Sequence, residues 1–187
     1  MNRIHTQREA EVIQAAIALL PGKLPEMLDY VHFFFGDPIF SGLHAYGDVD
    51  PNVLGQDVSY RDVAHFCDPE MLFCLPKSRQ HPTMILPASF LTTYRYPVET
   101  IVHELGHAIH SLILKRWRID VEVSSYAASN DWECFAEFFA AWCYPMGSWK
   151  PGWTPGSKRA WVDQTLIQYD PESIWLFDRM AEGHLLP

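Results

Sequence analysis

Two histidines and a glutamate in the segment IVHELGHAIH, residues 101–110, have the types and the spacing of a metal site. His103 and His107 are four residues apart, so on a helix both rings project from neighbouring turns of one face and can reach one ion. Glu104 lies about 100° further round the helix, beside such an ion rather than on it. From there a carboxylate can take a proton from a water that the metal activates. The pattern predicts half of a hydrolytic metal site.

A catalytic zinc ion normally has three protein ligands, so the HELGH segment is incomplete by itself. His110 lies on nearly the same helical face, but seven residues of helix rise about 10.5 Å. His103 and His110 therefore cannot both bind one ion through bonds of about 2.1 Å. We expect His110 to support a ligand from behind or to lie at the surface.

A pair of glutamates further along the chain offers the missing ligand. Glu133 and Glu137 are four apart in the segment DWECFAEFFAAW, residues 131–142, and share one face of an aromatic helix. Carboxylates on such a helix are costly unless they are paired or bind metal, although an ordinary solvated face is the alternative. We predict that Glu133, nearer the helix start, binds the ion. Glu137 then accepts the ring N–H of a ligand histidine and fixes its tautomer.

The helix that the HELGH segment requires is indicated by its surroundings. Pro97 suits the first turn of a helix. Apolar residues recur at every fourth position from Ile101 to Ile113, which predicts a helix from Pro97 to about residue 116. Gly106 costs such a helix about 1 kcal/mol relative to alanine, so we expect another part of the chain to pack closely against it.

Other helices are predicted from their ends. Thr6 to Glu9 form a capping-box pattern before an amphipathic run, and Pro21 with Gly22 stops it, which predicts a helix over residues 7–20. The glutamate pair lies in a predicted helix from about residue 130 to Pro145. Asp170 is a good N-cap for the last of two closing helices. Those two helices are predicted over residues 157–169 and 171–183.

Three short apolar runs predict strands, at residues 31–35, 71–75 and 83–86. Prolines at 76, 82 and 87 fit edge positions better than the centre of a sheet. An extended peptide could therefore pair along residues 81–87. Residues 41–57 and 145–156 read as loops and 117–129 as a connecting segment. The Asp48-x-Asp50-x-Asn52 pattern fails as a calcium loop, because position 6 is not glycine and position 12 is not glutamate.

Composition limits the class of protein. The 187 residues are 48% hydrophobic and 20% charged, which suits one globular domain spanning 1–187. A net charge of −9 argues against a nucleic-acid partner. No 18-residue apolar run and no signal-peptide pattern occur, so we expect no membrane span and a cytoplasmic location, with export by a non-classical route left open. The four cysteines form no CxxC pair and are expected to be buried thiols.

The two glutamate- and histidine-bearing segments carry a family resemblance. HELGH together with YAASNDWECFAEFFA, residues 126–140, resembles the gluzincin zinc metallopeptidases. More narrowly, it is similar to the catalytic domain of anthrax lethal factor and its relatives, the Pro-Pro endopeptidases. The resemblance implies one zinc ion on His103, His107 and Glu133, with Glu104 as the general base. It departs from that family at Cys134, where an aromatic residue is common, and in the short 26-residue gap before Glu133.

The same resemblance implies a role for a tyrosine. Tyr126 lies seven residues before Glu133, the offset of a tyrosine that faces the site in that family. A phenol placed there can donate a hydrogen bond to the oxyanion that develops as water attacks a carbonyl. Tyr94 and Tyr96 are the nearest alternatives.

These features predict an α+β, zincin-like domain that hydrolyses peptide bonds with one zinc ion. The ImmA/IrrE regulatory peptidases are a second resemblance, because HELGHAIH is followed by Glu133 and then by Phe-Ala-Ala. Their usual Glu-Ala-Asn-x-Phe-Ala block is not reproduced. A zincin-shaped protein that binds a partner without cleaving it is the third hypothesis, and a missing Glu104 would have been its sign. The substrate is expected to be a peptide or protein, and the sequence does not indicate an oligomeric state.

Overall fold

The computed structural model describes eight stretches of the chain, and the fold below is that of these residues. They are 6–29, 31–35, 65–67, 83–87, 89–114, 117–124, 126–143 and 170–184. The predicted loops at 41–57 and 145–156, the predicted strand at 71–75 and the predicted helix at 157–169 lie outside them.

The first helix, α1, spans Gln7–Ile17 and begins with the predicted capping box. The Thr6 hydroxyl accepts the Glu9 N–H at 3.2 Å, and the Glu9 carboxylate accepts the Thr6 N–H at 2.6 Å. The helix ends three residues before the predicted end, because the N–H groups of Leu19 and Leu20 bond to carbonyls only three residues back. A short helix α2, Leu24–Met27, follows.

Among the described residues the sheet has three strands, in the order β1-β3-β2. They are β1, His32–Phe35, β2, His65–Cys67, and β3, Thr83–Leu86. β3 runs parallel to β1, with Phe33 opposite Met84, and antiparallel to β2. The predicted strands at 31–35 and 83–86 are confirmed, whereas β2 was not predicted.

The proposal that residues 81–87 form a substrate-binding edge is wrong. β3 is the central strand, and neighbours on both sides take up its hydrogen-bonding groups. Pro87 follows the last paired residue, so it interrupts no ladder bond and says nothing about edge or centre. Pro76 and Pro82 lie outside the described residues.

Two long helices form the centre of the described structure. A short helix α3, Phe90–Thr93, leads to α4, Pro97–Leu112, which has Pro97 in its first turn as predicted. The predicted end near residue 116 is too late, because the Leu114 N–H turns back to the Ile109 carbonyl. Residues 117–124 run without regular structure, and a 3-10 turn, Ala127–Ser129, precedes α5, Asp131–Cys143. α4 packs against α5, α1 and β2.

The closing helix α6, Pro171–Ala181, has the predicted N-cap. Asp170 accepts the Ser173 N–H at 2.9 Å and the Ser173 hydroxyl at 2.7 Å. Phe177 of α6 lies among the rings of α5, 5.5 Å from Phe135 and 5.6 Å from Phe139 between centroids. Its burial closes the core over α5.

A single apolar cluster joins these elements and includes residues from each of the six described helices and from β3. Cys134 and Cys143 are buried free thiols, which confirms the prediction for these two cysteines, whereas Cys74 and the side chain of Cys67 lie outside the description. The architecture is mixed and mostly helical with a small sheet, which agrees with the predicted α+β class. Each helix of the described chain is too short or too polar to cross a bilayer.

Candidate metal centre

Helix α4 presents two faces of opposite character. Ile101, Leu105 and Ile109 point into the apolar core and are at most 1% exposed. His103 and His107 lie on the face toward α5, four residues apart as the helical period requires. The apolar face holds the helix in place, and the histidine face is thereby aimed at a neighbouring helix.

Asn130 starts helix α5 at a defined point and so sets the position of Glu133. Its side-chain oxygen accepts the N–H groups of Trp132 and Glu133, both at 3.0 Å. This is the arrangement of an N-cap, whose side chain takes up the free donors of the first turn. Glu133 therefore sits in the first turn, and Glu137 follows one turn later on the same face.

Gly106 allows α4 and α5 to approach at the level of the backbone. A Cβ atom at this position would lie 2.9 Å from Ala136 Cα and 3.1 Å from both the Ala136 carbonyl oxygen and Phe139 Cδ1. The expected close packing against Gly106 is confirmed. Because no side chain separates the helices here, side chains one turn away can meet across the interface.

The structure brings His103, His107 and Glu133 together in one cluster. Glu133 Oε2 lies 3.0 Å from His103 Nε2 and 3.4 Å from His107 Nε2. The three potential ligand atoms all lie within 4.8 Å of one another, and the group can hold a metal ion. The side chains of His107 and Glu133 keep 14% and 19% of their surface exposed, so an ion has access from solvent.

Glu133 Oε2 lies between the Nε2 atoms of two imidazoles, a position that suits a shared ion. This buried oxygen has no hydrogen-bond partner of suitable geometry among the described residues, although two nitrogens lie close to it. Ligand atoms bound tetrahedrally at 2.0–2.2 Å are about 3.3–3.6 Å apart. The 3.4 Å contact lies in that range and the 3.0 Å contact is a few tenths of an ångström shorter, so a small side-chain shift lets the residues present hold such an ion.

The electrostatics of the cluster are those of cation ligands next to carboxylates. Burial alone would lower the pKa of His103, but Glu133, Glu137 and Glu104 outweigh it and raise that pKa to about 9. Burial likewise would raise the pKa of Glu133, yet the imidazoles of His103 and His107 hold it well below its usual range. In the metal-free protein the His103 ring is therefore an imidazolium at neutral pH, with both nitrogens protonated.

Glu137 lies behind His103, where the sequence placed it. Its Oε1 is 2.7 Å from His103 Nδ1, and its side chain is fully buried. A carboxylate here favours the proton at Nδ1 and leaves the Nε2 lone pair for an ion. Its other oxygen accepts the Ser124 hydroxyl at 2.6 Å, a partner that sequence reasoning missed.

Glu104 is buried beside the cluster but is not one of its three potential ligands. Its negative charge acts on both neighbours, because it raises the pKa values of His103 and Tyr126. A place beside the potential ligands and outside their group agrees with the predicted position, whereas the role of Glu104 as a base stays a prediction.

Tyr126 lies over the cluster, with its ring centroid 5.8 Å from that of His103 and half of its surface exposed. Burial and the charges of Glu133 and Glu104 raise the pKa of its phenol to about 12, so it remains a hydrogen-bond donor at neutral pH. Of the alternatives, Tyr94 packs on Phe90 at 4.8 Å, and Tyr96 lies beneath the Arg95 guanidinium.

His110 has neither of its two expected positions. It is buried, its ring stacks on Phe135 at 4.2 Å, and its Nε2 donates to the Trp117 carbonyl at 3.0 Å. It does not belong to the group that can hold an ion. His110 is a core residue that joins α4 to the following segment.

Comparisons with protein-family models, with curated proteins and with solved structures found no match. The family resemblance therefore stays a prediction from the two motifs. What is established is the site itself, a cluster of His103, His107 and Glu133 that can hold a metal ion, with Glu104 and Tyr126 beside it.

Proposed function

We propose that the chain is a zinc-dependent endopeptidase with a zincin-like fold. The observation that carries the proposal is the convergence of Glu133 Oε2 with the Nε2 atoms of His103 and His107. Two imidazoles and one carboxylate form the ligand set of many hydrolytic zinc sites, which leaves a fourth position for water or substrate. The small mixed sheet beside α4 supports the zincin-like arrangement.

The metal ion, when bound, supplies a Lewis acid that lowers the pKa of water and polarises a carbonyl. The other steps belong to the chain. Glu104 accepts the proton of the attacking water and passes it to the leaving amine. The Tyr126 phenol donates a hydrogen bond to the oxygen on which negative charge develops. His103 keeps its Nδ1 proton toward Glu137 throughout, so that its Nε2 stays available.

An extended peptide needs a strand edge near the site. Among the described strands β2 is an outer one, and it contacts α4. β3 pairs with one side of β2, and among the described residues no strand pairs with the other, which is the side that could accept a further strand. We propose this edge for substrate in place of residues 81–87.

The test combines metal analysis with cleavage of a peptide library. The wild-type protein is expected to bind one zinc ion and to cleave a subset of peptides. Glu104→Gln is expected to keep the zinc ion and to lose about 10²- to 10⁴-fold in kcat, because the general base is removed while the ligands remain. Glu172→Gln, an exposed glutamate on α6, is the matched control and should behave like wild type.

Two results would contradict the proposal. A wild-type protein that binds zinc but cuts nothing across a broad library favours a zincin-shaped binding protein. Wild-type-like cleavage by Glu104→Gln removes the assigned base. Cleavage confined to one folded partner protein would favour the ImmA/IrrE-like regulatory alternative.

A further inference from the structure

Glu137 is a fully buried carboxylate whose two oxygens face different elements. Oε1 lies 2.7 Å from His103 Nδ1 on α4, and Oε2 accepts the Ser124 hydroxyl at 2.6 Å. A buried carboxylate needs partners for both oxygens to be held in one orientation. The Ser124 hydroxyl therefore helps to fix the orientation that Glu137 offers to His103.

The Ser124 hydroxyl is itself fixed in direction. Its oxygen accepts the Ala127 N–H at 3.0 Å, while its hydrogen points to Glu137. A serine that accepts the N–H three residues further on is a local cap for a turn. Because one lone pair is engaged by the backbone, the hydroxyl is oriented as a donor toward the carboxylate.

The turn capped by Ser124 is the one that carries Tyr126. Ala127 opens the 3-10 turn Ala127–Ser129, and Tyr126 is its N-cap. The Ser124 hydroxyl thus donates to Glu137, which contacts His103, and accepts the Ala127 N–H in the turn that carries Tyr126. A single side chain links the ion-binding half of the site to the half over which the oxyanion would form.

We propose that Ser124 is a positioning residue that holds Glu137 against His103 and, through the Ala127 N–H, holds Tyr126 over the cluster. The inference rests on the proposed function, since it assigns a support for that same site. Ser124 touches neither the ion nor substrate. Its effect passes through Glu137 and through the backbone of the turn.

The test compares Ser124→Ala with Ser124→Thr, which keeps the hydroxyl, and with Ser129→Ala, an exposed serine in the same turn. The first measurement is made without metal, by NMR of the His103 ring N–H. Ser124→Ala is expected to shift this resonance and to accelerate its exchange with water, because Glu137 Oε2 loses the Ser124 hydroxyl donor. Ser124→Thr and Ser129→Ala should retain the wild-type signal.

The second measurement is a titration with Co²⁺, whose visible spectrum reports ligand geometry. Ser124→Ala is expected to bind Co²⁺ about 10- to 100-fold more weakly, with a changed spectrum, as for other losses of support behind a metal-binding histidine. In peptide cleavage kcat should fall more than KM rises, because Tyr126 acts on the oxyanion. Ser124→Cys, close in volume but a weak donor, replaces the alanine variant if that variant does not fold.

The outcomes separate the two proposals. If Ser124→Ala leaves both the His103 N–H signal and the Co²⁺ spectrum unchanged, the role of Ser124 is overturned. If the wild-type protein binds no Co²⁺ and Ser124→Ala alone shifts the N–H signal, the positioning of His103 stands and the metal function fails.

Discussion

His103 and His110 lie on one helix, two turns apart, and both are buried, yet they are opposite in chemistry. His103 faces carboxylates, which raise its pKa to about 9 against the effect of burial. His110 stacks on Phe135, and burial lowers its pKa even though the Trp117 carbonyl opposes that shift. The difference comes from what α5 places opposite each ring. α5 places Glu133 and Glu137 against His103, and it places the ring of Phe135 against His110.

A position on the ligand face of α4 is therefore not enough to make a histidine a potential metal ligand. The carbonyl that receives the His110 N–H belongs to Trp117, whose indole N–H in turn donates to Ser173 of α6 at 2.8 Å. His110 therefore joins three elements of the fold, whereas His103 takes part in the proposed reaction. We therefore expect substitution of His103 to affect function and substitution of His110 to affect stability.

The largest expected effect is on metal binding, in His103→Ala compared with His110→Ala. His103→Ala should lose stoichiometric zinc and reduce cleavage to that of the metal-free protein, because a three-ligand site cannot spare one. His110→Ala should keep the zinc but lower the free energy of unfolding by about 2–4 kcal/mol, since it leaves a cavity beside Phe135. Metal analysis and denaturant unfolding measure the two effects. Equal loss of zinc in both variants would erase the distinction.

The next effect is the dependence of stability on pH in the metal-free protein. The folded pKa of His103, about 9, lies above the ordinary value of 6.5. Its stabilising contribution is thus complete below pH 6.5 and is lost as the pH rises through 9, by at most about 1.4 kcal/mol per pH unit for one proton. The folded pKa of His110 is lowered, so the pH dependence that it causes runs the other way. The free energy of unfolding falls as the pH drops below 6.5, because protonation of this histidine then favours the unfolded chain.

Urea unfolding from pH 5 to 10, with a chelator present, measures both slopes. His103→Ala should flatten the alkaline slope and keep the acid one, and His110→Ala should do the reverse. An alkaline slope that survives in His103→Ala would assign it to another group. Saturating zinc should also remove that slope, since the ion displaces the proton.

The smallest expected effect is that of Gly106→Ala, which lies between the two histidines on the same face. The new Cβ would meet the backbone of Ala136 at 2.9 Å, where nothing flexible can yield. We expect a net destabilisation of about 1–3 kcal/mol from overpacking, despite the gain of about 1 kcal/mol in helix propensity. Thermal unfolding checks the stability, and a zinc titration shows whether the ligand end shares the loss. A stabilised variant would contradict the backbone contact.

Much of the site could be predicted because its signals are local. The four-residue spacings of His103 with His107 and of Glu133 with Glu137 follow from the helical period, and the structure places all four together. Capping at Thr6 and Asp170 and the strand at 83–86 are equally local, and all three are confirmed.

The remaining features depend on contacts between distant segments. Ser124 meets Glu137 across a turn, and no spacing rule connects them. The central position of β3 depends on β2, a three-residue strand too short to leave a pattern. The sequence predicts His110 behind a ligand or at the surface, because the Phe135 ring that covers it lies on another helix.

The contact between Gly106 and the backbone of Ala136 also bears on which ion the site would carry. Because the two helices touch without an intervening side chain, their packing sets the spacing of the ligand side chains. That spacing is in place before an ion binds. Exchanging one divalent ion for another should then leave that spacing intact. Whether the site holds zinc, cobalt or manganese would then depend on the affinity and the concentration of each ion. Folding of the chain would not select among them.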